Sequence, residues 1–217
     1  MVIIMVKKII SNDIINMNTY LIIDENKAFI VDPGGNYDEL IKTIKEDNLE
    51  VLGILLTHAH VDHTYLIGKF DCPIYLHEKE VEILRYSNLS LYDAFSLDMP
   101  FNYKDLNIIK VKDNDEIPLN DKVIKVMHTP GHTKGSVCYL YNNKLFSGDT
   151  LFKESCGRCD LPTGSETDMA KSLIRIIDSL DDKVKVYPGH DETTSIGYEK
   201  IHNYQYLYYK KMLNGNI

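Results

Sequence analysis

The sequence predicts a single mixed α/β domain spanning residues 1–217, with two strand-rich halves that are each followed by helix. Three observations lead there. A chain of 217 residues is long enough for one domain with a substantial core. Runs rich in β-branched and aromatic residues are mixed throughout with segments of helical period. No linker, low-complexity stretch or fixed-length repeat marks a boundary.

Residues 14–23 and 27–31 read as strands, with Asp24-Glu25-Asn26 as the turn between them. Asp32-Pro33-Gly34-Gly35 breaks that pattern, and Leu40, Ile41 and Ile44 then predict an amphipathic helix over 37–48. Residues 51–56 are a continuous apolar run, as expected of a strand buried on both faces, and the run ends at Thr57. Next come a strand at 73–76 and a helix at 78–86. Residues 87–105 carry no clean period and read as a lid or a short extra helix. A second group of strands is predicted at 108–111, 122–127, 137–141 and 144–146. Residues 168–180 read as a helix with Leu173, Ile176, Ile177 and Leu180 on one face, 184–187 as a last strand and 198–213 as a terminal helix.

Composition narrows the class. With 44% hydrophobic and 26% charged residues the chain reads as a soluble globular protein. Its 24 basic and 32 acidic residues give a net charge of −8, which argues against a nucleic-acid surface. No run approaches the roughly 20 apolar residues that span a bilayer, so no membrane partner is expected. Residues 1–8 are apolar before they are basic, the reverse of a secretory signal, and a cytoplasmic location is the expectation. Four cysteines in such a chain are no disulfide framework. Cys72 and Cys138 read as core, and Cys156 and Cys159 as free loop thiols despite their CxxC spacing.

The sharpest signal is His58-Ala59-His60-Val61-Asp62-His63. His58 and His60 are two apart, so in an extended loop their rings point the same way. Asp62 and His63 come where the chain should turn into a helix, and approach from another direction. Three imidazoles and a carboxylate are N and O donors suited to zinc, iron or manganese. Three more segments deliver one ligand-type residue each from the end of an apolar strand: Thr129-Pro130-Gly131-His132, Ser147-Gly148-Asp149 and Tyr187-Pro188-Gly189-His190. Rigid scaffolds build sites in this way. His77 and His128 read as structural or supporting residues, and the tyrosines at 204, 206, 208 and 209 as helix packing.

The order HxHxDH, then H, then D, then H resembles the ligand signature of the metallo-β-lactamase superfamily, from Asp32-Pro33-Gly34-Gly35 to His190. The resemblance implies an αββα four-layer sandwich with two divalent metal ions at one edge, zinc first, iron or manganese as alternatives. It assigns His58, His60 and His132 to one ion, Asp62, His63 and His190 to the other, and Asp149 to both, with a water or hydroxide between them. The aspartate at 149, where lactamases usually carry cysteine, points to the glyoxalase II branch. Cys156-Gly157-Arg158 is similar to the glyoxalase II segment whose basic residue binds the substrate, and Thr194-Ser195-Ile196-Gly197-Tyr198-Glu199 resembles a segment of short glyoxalase II-like hydrolases. Only 27 residues follow His190, so the C-terminal helical domain of full-length glyoxalase II is expected to be missing.

The implied activity is hydrolysis of a small-molecule thioester of the hydroxyacylglutathione type, with Asp62 and Asp149 in catalysis and Arg158 on the substrate. A persulfide dioxygenase with a single iron, which uses part of the same ligand set, is the alternative. The sequence leaves the oligomeric state open.

Overall fold

In the computed structural model, which describes residues 5–11 and 13–213, side chains along the strands alternate between two buried faces and so build four layers. Residues 1–4, on which much of the reading against a secretory signal rests, lie outside the described residues. The first sheet sets β1 (Met5–Ser11), β2 (Met17–Asp24), β3 (Lys27–Val31), β4 (Glu50–Leu55), β5 (Ile74–His77) and β6 (Ile108–Val111) side by side in chain order. Pairing is antiparallel from β1 to β3 and parallel from β3 to β6. Parallel neighbours need crossovers. These carry α1 (Tyr37–Glu46), the four-residue α2 (Val61–Thr64) and α3 (Glu80–Arg85).

The second sheet holds β7 (Glu116–Leu119), β8 (Lys122–His128), β9 (Val137–Tyr141), β10 (Lys144–Gly148), β11 (Lys185–Pro188) and β12 (Thr194–Ser195). Helix α4 (Glu166–Ser179) joins the parallel pair β10 and β11, and α5 (Ile196–His202) and α6 (Tyr204–Leu213) follow. Tyr20, Ile22, Phe29 and Val31 face inward and meet Ile124, Val126, Tyr139 and Phe146 of the other sheet. Their neighbours Leu21, Ile23, Ala28 and Ile30 face outward onto Leu40, Ile83 and Leu84. On the far side Cys138, Leu145 and Val186 pack on Met169, Leu173, Ile176 and Ile177 of α4. This is the αββα sandwich. Among the described residues no helix is long and apolar enough to cross a membrane.

Several elements differ from the sequence reading. Strand β1 pairs along its whole length with β2, Met5 to Ile23 through Ser11 to Met17. Lys7 and Lys8 break its apolar period, a pattern that suits an edge strand. Strand β7 contains Pro118, which demotes a strand in sequence but is tolerated at a sheet edge, where β7 lies. The terminal helix expected over 198–213 is two helices. Buried Asn203 separates them: its Oδ1 accepts from Tyr206 N at 3.0 Å, and its Nδ2 donates to Ser155 O and Glu199 Oε2 at 3.0 and 2.9 Å. Residues 87–105, read as a lid or a short extra helix, contain two 3-10 turns, at Asp93–Phe95 and Tyr103–Asp105.

Asn203→Ala removes a helix cap and leaves buried partners unmatched. It should lower stability by about 2 kcal/mol, read as a drop in the urea midpoint with an unchanged m-value.

Candidate metal centre

The ligand-type residues reach one edge of the sandwich from the carboxyl ends of strands. His58 and His60 follow β4, His132 follows β8, Asp149 follows β10 and His190 follows β11. His60 is extended at φ −71° and ψ 154° and begins α2, which carries Asp62 and His63. The two sheets are tied together here, as Asn18 N donates to Gly189 O at 2.7 Å, Tyr20 Oη to Pro188 O at 2.8 Å and Val137 N to Thr57 O at 2.9 Å.

All seven predicted residues converge. His58, His60 and His132 form one group and Asp62, His63 and His190 another, the nitrogen and oxygen atoms of each lying within 4.8 Å of one another. His132 Nε2 is 2.9 Å from His60 Nδ1. Asp149 lies between the groups: Oδ1 is 3.3 Å from His63 Nε2, and Oδ2 is 3.5 Å from both His132 Nε2 and His190 Nε2. Asp62 Oδ2 is 3.3 Å from His190 Nε2. Close packing at Gly189 makes room for this, since a Cβ there would stand 2.5 Å from Asp149 Oδ1 and 2.7 Å from His63 Cε1.

Supporting hydrogen bonds choose which ring nitrogen each histidine presents. A carbonyl or carboxylate can only accept, so a ring nitrogen bonded to one must carry the proton. His132 Nδ1–H donates to Arg158 O at 2.8 Å, His190 Nδ1–H to Asn16 O at 2.6 Å and His63 Nδ1–H to Asp32 Oδ2 at 3.0 Å. Thr57 gives its hydroxyl proton to Asp32 Oδ2 at 2.6 Å, so at 3.2 Å it accepts from His58 Nδ1–H. In all four rings Nε2 is the nitrogen left free to serve as a lone-pair donor to a metal. Such outer partners orient metal ligands and raise their basicity.

The donor set fits a divalent metal. Of six buried side-chain polar atoms without a hydrogen-bond partner among the described residues, four are His58 Nε2, His60 Nε2, His63 Nε2 and Asp149 Oδ1. Unmatched buried groups cost about 1–3 kcal/mol each, so their concentration at one point calls for a ligand. Burial and the neighbouring rings hold His58 well below the usual histidine range and His60 down to about 3, which keeps both neutral. Burial opposes ionisation of Asp62 and Asp149, but His63 and His190 outweigh it and lower both carboxyls. Burial likewise disfavours a charged His63, and Asp62, Asp149 and Asp32 overcome it.

Sequence reasoning gave Asp32 no role at the site, only a place in the break after the strand and at the start of the resemblance, and missed Glu80. Asp32 takes the left-handed region at φ 49° and accepts from Thr57 N at 2.8 Å besides Thr57 Oγ1 and His63. An aspartate directly before Pro-Gly-Gly at a strand end was the available signal. Glu80 is fully buried, which raises its carboxyl to about 7. It accepts from Ala59 N, Thr133 Oγ1 and Gly135 N at 2.9, 2.6 and 2.8 Å, bolting the loop of His58 and His60 to that of His132. Its helix position gave no local signal.

The other candidates settle away from the cluster. His77 and His128 stack on each other with ring centres 4.1 Å apart, and His128 Nε2 donates to Lys134 O. Cys138 is buried and Cys72 only half-buried, and all four thiols are free. Cys156 and Cys159 open with Tyr209 onto a separate cavity, while Tyr204 and Tyr208 are exposed. Arg158 holds His132 through its backbone. The residue borders a cavity of about 540 Å³ over the metal-binding groups, and its exposed guanidinium pairs with Asp160 at 2.6 and 2.7 Å.

An αββα sandwich with a His/Asp centre at its edge is the architecture of a metal-dependent hydrolase. The chain belongs to the metallo-beta-lactamase superfamily, whose family model matches residues 15–190. A relative from Bacillus subtilis, named as a probable polyketide biosynthesis zinc-dependent hydrolase, PksB, is 30% identical over 88% of this chain and 80% of its own. The crystal structure of the BLEG-1 B3 metallo-beta-lactamase superposes with a TM-score of 0.85 at 35% identity, covering 93% of this chain and 99% of that one. That of TTHA1623 in a di-iron-bound form superposes with a TM-score of 0.80 at 30% identity, covering 91% and 98%.

Two substitutions separate ligands from bystanders. His132→Ala should lose metal, measured by elemental analysis, whereas His128→Ala should keep the wild-type content. Asp32→Ala should retain the ligands yet bind metal about 10–100-fold more weakly in competition with a chelator; an unchanged affinity would remove Asp32 from the site.

Proposed function

We propose that this chain is a two-metal hydrolase that cleaves thioesters of the hydroxyacylglutathione type, in the manner of glyoxalase II. The observation that carries this reading is the second ligand group, Asp62, His63 and His190, beside the first and joined to it by Asp149. A single-iron persulfide dioxygenase would need only part of that set. Imidazole and carboxylate donors suit zinc, with iron or manganese also compatible. The name of the Bacillus relative specifies zinc and the TTHA1623 structure holds iron. When bound, the two cations supply a water acidified toward neutral pH and positive charge for a developing oxyanion.

The rest falls to the chain itself. No Ser, Thr or Cys is among the described residues that line the cavity, so no side chain of those types is placed to attack a substrate there. Asp62 can accept a hydrogen bond from the attacking water, which orients it. A thiolate leaves without prior protonation, so no dedicated acid is required. A cavity of about 540 Å³ matches a small-molecule substrate. Arg158 is the substrate-binding residue in this reading: its ion pair with Asp160 is exposed and therefore weak, and a substrate carboxylate can take the same planar fork. Four unpaired cysteines are in keeping with a cytoplasmic location.

Purified protein should carry two metal equivalents and hydrolyse S-lactoylglutathione, with activity lost to a chelator. One equivalent of iron, with oxygen uptake on glutathione persulfide and no thioesterase activity, would replace this reading with the dioxygenase. Arg158→Gln should raise KM roughly 10-fold for a carboxylate-bearing thioester, with little change in kcat and almost none for a neutral thioester. An equal effect on both substrates would show that Arg158 does not read the carboxylate.

A further inference from the structure

We infer that the cavity over the metal-binding groups is an acyl pocket, and that the preferred substrate carries an extended apolar acyl chain rather than a small hydroxylated one. The inference rests on the thioester hydrolysis of the reading above and departs from it in the acyl group, which it makes apolar in place of hydroxylated. Apolar side chains scattered singly over a surface need no explanation. Here Ile15, Leu91, Ala94, Phe95, Phe152 and Leu161 converge on one cavity that also opens onto His60, His132, Asp149 and His190. Ile15 and Phe95 each remain 39% exposed, although they are large and apolar. A concentration of exposed apolar surface around a polar centre marks a place where an apolar group docks.

Leu91 shows that this wall is built in at a cost. Its backbone lies in the left-handed region at φ 69°, where a bulky residue is rare and glycine or asparagine is the easy choice. Both of its neighbours are fastened to α2, the helix of Asp62 and His63. Ser90 O accepts from Val61 N at 2.8 Å, and fully buried Tyr92 has its hydroxyl 3.2 Å from Thr64 Oγ1. The strained turn therefore places the Leu91 side chain at a set position relative to a metal-binding residue. On another side Phe152 meets the His190 ring edge-on, with centroids 5.9 Å apart, so the apolar wall starts at the centre itself. Apart from the residues of the metal-binding groups, the polar residues on the cavity wall among the described residues are Arg158, already paired with Asp160, and Asp191. A hydroxyl on the acyl group would give up water there against mostly apolar surface.

The test uses metal-loaded protein and acetyl, butanoyl and hexanoyl thioesters of both glutathione and pantetheine, which separates the acyl half from the thiol half. On either thiol, kcat/KM should climb about 3- to 4-fold per methylene. Phe95→Ala, at an exposed position, and Leu91→Gly, which relaxes the backbone, should each cut the hexanoyl-to-acetyl ratio by about 5-fold or more. A flat or falling series, or variants with the wild-type ratio, overturns the acyl pocket and leaves thioester hydrolysis standing. If no thioester is turned over, the reading of the reaction falls, and calorimetry with uncleavable S-methyl and S-hexyl glutathione decides the pocket separately. Tighter binding of the hexyl compound, weakened by Phe95→Ala, supports it; equal binding of the two overturns it.

Discussion

Asp32 is a carboxylate buried at the end of β3, and it has to be matched by donors wherever the chain can supply them. It finds the amide and hydroxyl of Thr57 and the Nδ1–H of His63. The consequences reach both ligand groups. By taking the Thr57 proton, Asp32 obliges that hydroxyl to accept from His58, and by taking the His63 proton it turns that ring directly. One carboxylate thus sets the tautomer of a histidine in each group. The close approach of Gly148 depends on the same contact, since a Cβ there would lie 2.3 Å from Thr57 Oγ1.

Glu80 does the corresponding work on the other side, where three donors from two loops meet on one buried carboxylate. Neither acid is among the residues that line the cavity. Both are buried, which opposes charge, and both hold the loops that follow the strands. Within the framework they create, imidazoles and ionised aspartates stand close together with several polar atoms unmatched. That balance is tolerable when a cation is present to complete it. Metal binding is then coupled to the stability of the whole edge, because the same loops hold the two sheets together.

The 156–160 segment joins chemistry to specificity. Its backbone steadies His132 through Arg158 O, and Gly157 packs so closely on Asp149 that a Cβ would stand 2.0 Å from the Asp149 carbonyl. Gly157 and Arg158 meanwhile border the cavity over the metal-binding groups. Asn203, at the junction of α5 and α6, holds the start of this segment through Ser155 O. Packing far from the metal-binding residues therefore bears on where Arg158 sits.

Much of this is legible in the amino-acid sequence. Apolar strands ending in turn residues and then a single His or Asp announce the seven convergent residues, because strand period and turn chemistry are local properties. Period also places most strands and helices. What escapes a sequence reading does so for local reasons: Lys7 and Lys8 mask β1, Pro118 masks β7, and a buried Asn203 reads like any helix residue until its partners are seen. Asp32 and Glu80 belong to the same class, since a carboxylate's role depends on which distant donors the fold brings to it. The sequence by itself determined the donor set and the strands that deliver it. Only the tertiary structure decided which ring nitrogens are free, which acids orient them and which apolar side chains wall the cavity, because each of those is a contact between segments far apart in the chain.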